Sequence, residues 1–298
     1  MSTALPRITV VTPSFNQAPF LEQTILSVLG QCYPNLEYFV MDGGSTDSSP
    51  EIIERYSTQL AHWQSQPDGG QAAAINTGFA RATGEILCWL NSDDYFLPGA
   101  LLRIARTFGA RAGEPALIYG SCLLFREGAA PSAKVVTAKP FSAARLRMTA
   151  YIIQPSAFWT RALWEKTGPL DETLSFGFDW EWFIRASAHA AFEPLAVMLS
   201  AYRRHEGHKS GSGGVKRREE ILAVVRRHAP EPVRACFEFA MQRWPEIETW
   251  SARRRHMERH QLPVAGALAR VSSPALWCLP QGVSLDDLRL VSGMLQDA

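Results

Sequence analysis

Ile86-Leu87-Cys88-Trp89-Leu90-Asn91-Ser92-Asp93-Asp94 decides how the first hundred residues are read. Its five apolar residues in a row fit a strand buried on both faces, and they run straight into a polar turn with two adjacent acids. Adjacent carboxylates repel and raise each other's pKa unless a cation or hydrogen-bond donors compensate. A hard divalent ion, magnesium or manganese, takes oxygen ligands and bridges phosphates, which makes this turn a candidate metal site. The plain alternative is a helix N-cap ahead of Pro98 beside one solvated acid.

The same strand-then-turn pattern recurs upstream. Ile8 to Thr12 is a β-branched run closing on Pro13-Ser14, and apolar residues at helical spacing follow from Pro19 to Leu29. Leu36 to Met41 closes on Asp42-Gly43-Gly44-Ser45-Thr46-Asp47, ahead of a helix from Pro50 to Tyr56. His62 to Gln66 is a third strand, and Asp68-Gly69-Gly70 turns into a helix over Gln71 to Ala82. Strands alternating with helices predict an α/β fold with a mainly parallel central sheet flanked by helices. In such sheets ligands bind beyond the carboxyl ends of the strands, which is where these polar motifs fall.

The later chain is less regular. Ala116 to Phe125 is an apolar run, Phe178 to Ala188 a helix, and Phe192 to Tyr202 another extended run. Phe178-Asp179-Trp180-Glu181-Trp182 sets two acids among aromatic rings. Desolvation there raises a carboxyl's pKa toward the range of a general base, and only one of the two acids faces a given pocket. The rival reading is an amphipathic helix with solvated acids. Gly207 to Gly214 reads as a linker that contains His208 and that His205 precedes, so the division expected is 1–210 for a catalytic domain and 211–298 for linker and helical extension.

Composition narrows the classes. The chain has 298 residues, 46% of them hydrophobic and 20% charged, and a net charge of +1. That balance excludes wholesale disorder and gives no electrostatic argument for nucleic acid. Five cysteines with no CxxC pair fit free thiols in a reducing compartment. Neither a signal peptide nor an apolar run of about 18 residues is visible, so the expectation is a soluble, cytoplasmic protein.

Taken in order, Thr12-Pro13-Ser14-Phe15-Asn16, Asp42-Gly43-Gly44-Ser45-Thr46-Asp47, Asp68-Gly69-Gly70-Gln71 with Asn76-Thr77-Gly78, Asn91-Ser92-Asp93-Asp94 and Asp179 resemble the family-two glycosyltransferases with the GT-A fold. The resemblance covers roughly residues 6–210. It implies a Rossmann-like nucleotide-sugar half joined to an acceptor half, and an inverting, metal-dependent transferase acting in cell-surface polysaccharide synthesis. It further implies nucleoside contacts at Thr12, Pro13, Ser14 and Asp42, and donor contacts at Asn16, Gly44, Asp68, Gly70, Gln71, Asn76, Ser92 and Asp94. Asp93 and His205 would hold manganese or magnesium on the diphosphate, and Asp179 would be the base. The partners implied are a nucleotide sugar, UDP-linked, and a glycan or lipid-linked acceptor. Two positions depart from the family pattern: Asn91 stands where Asp is frequent, and Ala73-Ala74 where an Asp-Ala pair is frequent. A non-catalytic nucleotide- or glycan-binding module remains an alternative. So does a sugar-phosphate nucleotidyltransferase, although Thr12 to Gln17 lacks the basic residue that would need.

Residues 211–298 carry a net +3 against −2 for the rest, with Trp244, Trp250 and Trp277 and the cluster Arg253-Arg254-Arg255-His256. Helices are expected over Ile221 to Arg227, Val233 to Trp244 and Pro263 to Val271. The tail reads either as a helical extension packed on the catalytic domain or as a peripheral contact with an anionic membrane surface.

Overall fold

β1 (Ile8–Ser14) is buried at every residue, as a β-branched strand covered on both faces must be. This is seen in a computed structural model that describes residues 5–127, 131–209, 213–260 and 279–296. β1 lies between β2 (Leu36–Asp42) and β4 (Ile86–Trp89), and β2 pairs with β3 (His62–Ser65); all three pairings are parallel. The register sets Ser14 opposite Asp42 and Asp42 opposite Ser65, so the carboxyl ends line up along one edge. Three helices follow the first three strands: α1 (Ala18–Leu29), α2 (Ser49–Arg55) and α3 (Gln71–Arg81). α3 lies close against β1, because a Cβ on Gly78 would stand 2.7 Å from a Val11 methyl. α4 (Ala100–Phe108) buries Leu101, Ile104, Ala105 and Phe108 in the core that Ile8, Val10, Ile25 and Val40 share.

Beyond β4 the sheet is mixed. It continues through β5 (Tyr95–Phe96), β6 (Leu117–Arg126), β7 (Ser132–Val136), β8 (Ala157–Thr160) and β9 (Phe192–Arg204). The order is β3-β2-β1-β4-β8-β6-β9-β5, with β7 on β6. β8 runs antiparallel to both β4 and β6, β5 runs antiparallel to β9, and β9 is parallel to β6. The register of β6 on β9 shifts between Gly120 and Cys122, where a Cβ on Gly120 would meet Leu199 at 2.5 Å. Around β8, α6 (Arg161–Thr167) and α7 (Phe178–Ala186) build an aromatic layer in which Trp159 lies 5.2 Å from Trp89 and 4.8 Å from Trp182.

The chain forms two compact units, residues 1–141 with 151–206, and residues 142–150 with 207–298. The second contains α5 (Ala143–Leu146), α8 (Gly214–His228), α9 (Glu231–Gln242), α10 (Trp244–Arg259) and α11 (Leu285–Leu295). Its own core gathers Val224, Phe237, Ile247, Trp250, Leu288 and Leu295. Part of the basic cluster serves that core. Arg254 lies over Trp250 and pairs with Glu258, and Arg255 donates to Ser251 and Gln296. The expected helix over Pro263 to Val271, and Trp277, lie outside the described residues.

Candidate active site

The aligned ends of β1 and β2 are tied to each other by their loops. Asn16 adopts φ +52°, a left-handed conformation that Asn tolerates better than most side chains. In it the Asn16 amide donates to Ser45 Oγ at 2.8 Å, and Asn16 Oδ1 accepts from the Thr46 amide at 2.9 Å. Asp42 is fully buried, and its carboxylate accepts from the Gly44 and Ser45 amides and from the hydroxyls of Ser45 and Ser65. Thr12 Oγ1 meets the Tyr38 hydroxyl at 3.1 Å inside the sheet. Both side chains are therefore bonded within the protein at the ends of β1 and β2. Pro13 and Ser14 are buried at the same edge, and Ser14 Oγ has no partner among the described residues. Asp68 is exposed, accepts from the Gly70 amide at 2.7 Å, and sits where a Cβ on Gly43 would approach its carboxylate to 3.0 Å.

The turn Asn91–Asp94 is held by three elements. Gln71, at the start of α3, donates to Asn91 Oδ1 at 2.9 Å. Thr24 Oγ1 on α1 donates to the carbonyls of Ser92 and Asp94. β5 follows immediately and pairs with β9, whose Arg203 amide donates to Asp94 Oδ1 at 2.9 Å. The Arg203 side chain donates to the Asp93 carbonyl at 3.0 Å and to Gln23, and it pairs with Glu127. Its guanidinium lies 4.9 Å from the Phe20 ring centre and 5.0 Å from that of Phe125, a nearly buried cation in an aromatic box. Burial, reinforced by the Asp93 charge, pushes the Asp94 carboxyl well above the usual carboxylate range, and Asp94 Oδ2 has no partner among the described residues.

One residue past β9, His205 Nε2 stands 3.2 Å from Asp93 Oδ2, with its ring on Phe20 at 4.3 Å. These side chains are 14% and 21% exposed, so a ligand at the strand ends reaches them. The approaching pair joins residues 112 positions apart.

α7 starts beside the same strand end. The Phe178 ring packs 6.2 Å from Trp89, the last residue of β4, and Asp179 follows in the first helical turn. Half-buried Asp179 accepts from the Trp180 amide at 2.8 Å. Glu181 is buried and bound by Arg185, whose Nε lies 2.9 Å from both carboxylate oxygens. This pairing gives Glu181 a structural task. Asn76, expected among the donor contacts, lies on α3. Its carboxamide is bonded to Leu170 and Glu172 in the loop before α7.

Similarity to known proteins agrees with this layout. The family described as Glycosyl transferase family 2 matches residues 9–133. An uncharacterized glycosyltransferase of Mycobacterium tuberculosis is 41% identical over 95 residues, which are 32% of this chain and 36% of the relative. A Campylobacter jejuni GalNAc(5)-diNAcBac-PP-undecaprenol beta-1,3-glucosyltransferase is 30% identical over 133 residues, 42% of this chain and 40% of the relative. The chain thus spans between a third and two fifths of the length of these curated relatives. Among solved structures, S. aureus TarS 1–349 in complex with UDP-GlcNAc matches with a TM-score of 0.60 at 20% identity, covering 78% of this chain and 71% of that one. Mannosyltransferase PcManGT from Pyrobaculum calidifontis, in complex with GDP-Man and Mn2+, gives 0.58 at 20% identity, covering 77% and 67%. The fold is that of the GT-A glycosyltransferases.

A divalent cation fits the residues present. Asp93 and His205 supply an oxygen and a nitrogen donor side by side, next to the buried, unpartnered oxygen of Asp94. No cluster of three His, Cys, Asp or Glu donors occurs among the described residues, and a cation held here would need further oxygen ligands beyond Asp93 and His205. Arg203, Gln23 and Gln154 escaped the reading of the sequence. Gln154 donates to the Trp89 carbonyl at 2.8 Å, bracing the strand just before the acid turn. The only signal for Arg203 was its place two residues before His205.

Proposed function

We propose that the chain is a glycosyltransferase moving a sugar from a nucleotide-sugar donor, UDP-linked in the first instance, to a hydroxyl of a glycan or lipid-linked acceptor. The observation that carries the reading is the Asp93–His205 pair at the carboxyl end of β4, with the Asp179 helix packed on that same strand end. Likeness to proteins described with UDP-GlcNAc, with GDP-Man and Mn2+, and with an undecaprenol-linked acceptor supports it.

The chemistry follows from the two acids coming from different elements. The nucleoside lies over the ends of β1 and β2, where Thr12, Pro13, Ser14, Asn16, Asp42 and Gly44 form the wall and Asp68, Gly70 and Gln71 the rim. Ser92 and Asp94 shape the turn beneath the diphosphate. Asp93 and His205 would hold manganese or magnesium, which would supply positive charge for the departing diphosphate. Asp179 takes the proton of the acceptor hydroxyl. The acceptor oxygen bonds to the anomeric carbon from the face opposite the diphosphate, the bond to the diphosphate oxygen breaks, and its electron pair leaves with the nucleotide. Configuration is inverted. A half-buried carboxylate in the first turn of a helix is suited to that transfer, which contributes about 10²–10⁴-fold to rate.

An acceptor attached to lipid places the reaction at the cytoplasmic face of a membrane, in cell-surface polysaccharide synthesis. No described helix is long and apolar enough to cross a membrane. Attachment would be peripheral, through the basic face of the second unit that Arg254 and Arg255 only partly occupy. Co-sedimentation with anionic against neutral vesicles at low and high salt tests this, and equal, negligible pelleting rejects it.

Thermal shift with UDP, GDP, UDP-GlcNAc and GDP-Man, each with and without Mn2+, tests the transferase reading. A manganese-dependent shift by at least one nucleotide is expected. No shift with any of them would remove the donor site.

A further inference from the structure

The geometry assigns Asn76 the role of a positioning residue for the Asp179 helix, a role that deepens the transferase reading and rests on it. The carboxamide engages one residue in both directions. Asn76 Oδ1 accepts from the Leu170 amide at 2.9 Å, and Nδ2 donates to the Leu170 carbonyl at 3.0 Å, as a neighbouring strand would. The second Nδ2 hydrogen goes to Glu172 Oε1 at 2.8 Å. Both donors of the amide are in use, across a separation of more than ninety residues. Ala offers neither group, Asp lacks the donors, and Gln is one methylene too long for the same two-way bridge.

The loop that Asn76 grips is in turn fastened to α7. Arg185 donates to the carbonyls of Thr167 and Pro169 at 2.6 and 2.7 Å, and Trp182 Nε1 donates to the Gly168 carbonyl at 2.9 Å. Glu181 holds the Arg185 guanidinium in place. The loop ends at Gly177, in the left-handed conformation at φ +70°, and α7 begins with Phe178 and Asp179. Gripping Leu170 therefore constrains where Asp179 starts.

α3 makes this grip consequential, because the same helix touches the acid turn. Gln71 at its first residue holds Asn91, and Asn76 lies five residues on, roughly 7.5 Å along the axis. The contact of Gly78 with Val11 leaves the helix little room to slide on β1. α3 thus acts as a ruler that spaces the Asp93 side of the cleft from the Asp179 side.

The test compares Asn76→Ala and Asn76→Asp with Glu172→Ala, which removes only the outer bond. Amide hydrogen exchange is read over residues 168–183 and over 86–94, UDP affinity is measured with Mn2+ by calorimetry, and turnover is resolved into kcat and KM. For Asn76→Ala we expect faster exchange at 168–183 with 86–94 unchanged. We also expect UDP affinity within about twofold of the parent, and kcat lower by about tenfold to a hundredfold, the cost of a misplaced group far from the chemistry. Asn76→Asp should resemble it, and Glu172→Ala should cost less than either. Unchanged exchange at 168–183 in Asn76→Ala would overturn the assignment. A loss of UDP affinity as large as the loss of kcat would also overturn it, returning Asn76 to the donor. Failure of the transferase reading shows separately, as absence of nucleotide binding by the parent chain, and the exchange comparison then decides the role of Asn76.

Discussion

The parallel half of the sheet, β1 to β4, and the mixed half, β8, β6, β9 and β5, arrive at the same cleft by different physics. In the parallel half the loops bond within themselves, Asp42 to Gly44 and Ser45 and Asp68 to Gly70, and to the adjacent loop or strand, Asn16 to Ser45 and Asp42 to Ser65. In the mixed half almost every decisive contact is long-range: Arg203 to Asp93, His205 to Asp93, Gln154 to Trp89. Bonds within and between adjacent loops fix the ends of β1 and β2, whereas aromatic packing and a buried cation bring Arg203 and His205 to the end of β4. The two halves should therefore fail differently when altered.

The largest effect is expected in the aromatic layer. Trp159 is fully buried between Trp89, Trp164 and Trp182. Trp159→Ala should cost about 3–5 kcal/mol in denaturant unfolding. A cost near that of a surface change would mean that the mixed half does not depend on this packing.

Next comes chemistry carried by the mixed half. Asp179→Asn preserves shape and removes the proton acceptor, so transfer should fall by about 10²-fold or more while UDP binding persists. Near-normal turnover would move the base elsewhere, and Glu181, locked to Arg185, is poorly placed to inherit the role.

Asp93 sits where the halves meet. With nucleotide at a hundredfold excess over Kd, the parent should gain roughly 2.7 kcal/mol of stability. Asp93→Ala should abolish the manganese-dependent part of that gain and leave the unliganded protein folded. A manganese-dependent thermal shift as large as the parent's would take Asp93 out of the metal site.

The smallest effect belongs to the far end of the parallel half. Burial alone would raise the Glu37 carboxyl, but bonds from Thr83 and Thr9 outweigh it and hold the pKa below its ordinary value. A group with a depressed folded pKa stabilises above its unfolded pKa, and that contribution is lost as pH falls through the folded value. Unfolding midpoints measured downward from neutral pH should decline in acid, and less steeply in Glu37→Gln. Identical slopes would assign the acid sensitivity to other carboxylates.

Much of the parallel half was legible because its signals are local. β-branched runs, helical spacing and Gly-rich turns locate β1 to β4 and α1 to α3 within a few residues. β5 is two residues long, too short for any periodicity to register, and only its long-range pairing with β9 makes it a strand. Arg203 was passed over for the same reason. Its aromatic box comes from α1, from β5 and from β6, and no window of sequence contains all three.

By itself the sequence determined the α/β class, the polar turns at the strand ends and the pair of adjacent acids, because strand burial, turn chemistry and charge are properties of neighbouring residues. Which way those residues act was decided only in three dimensions. Asp42 and Thr12 turn inward because Ser65 and Tyr38 on adjacent strands satisfy them. Of the two acids in the aromatic helix, Glu181 is taken by Arg185, and Asp179 begins the helix beside Trp89. Asn76 reaches for a backbone more than ninety residues away. A side chain's partners are set by what the tertiary fold brings within about 3 Å of it, and no local pattern encodes that distance.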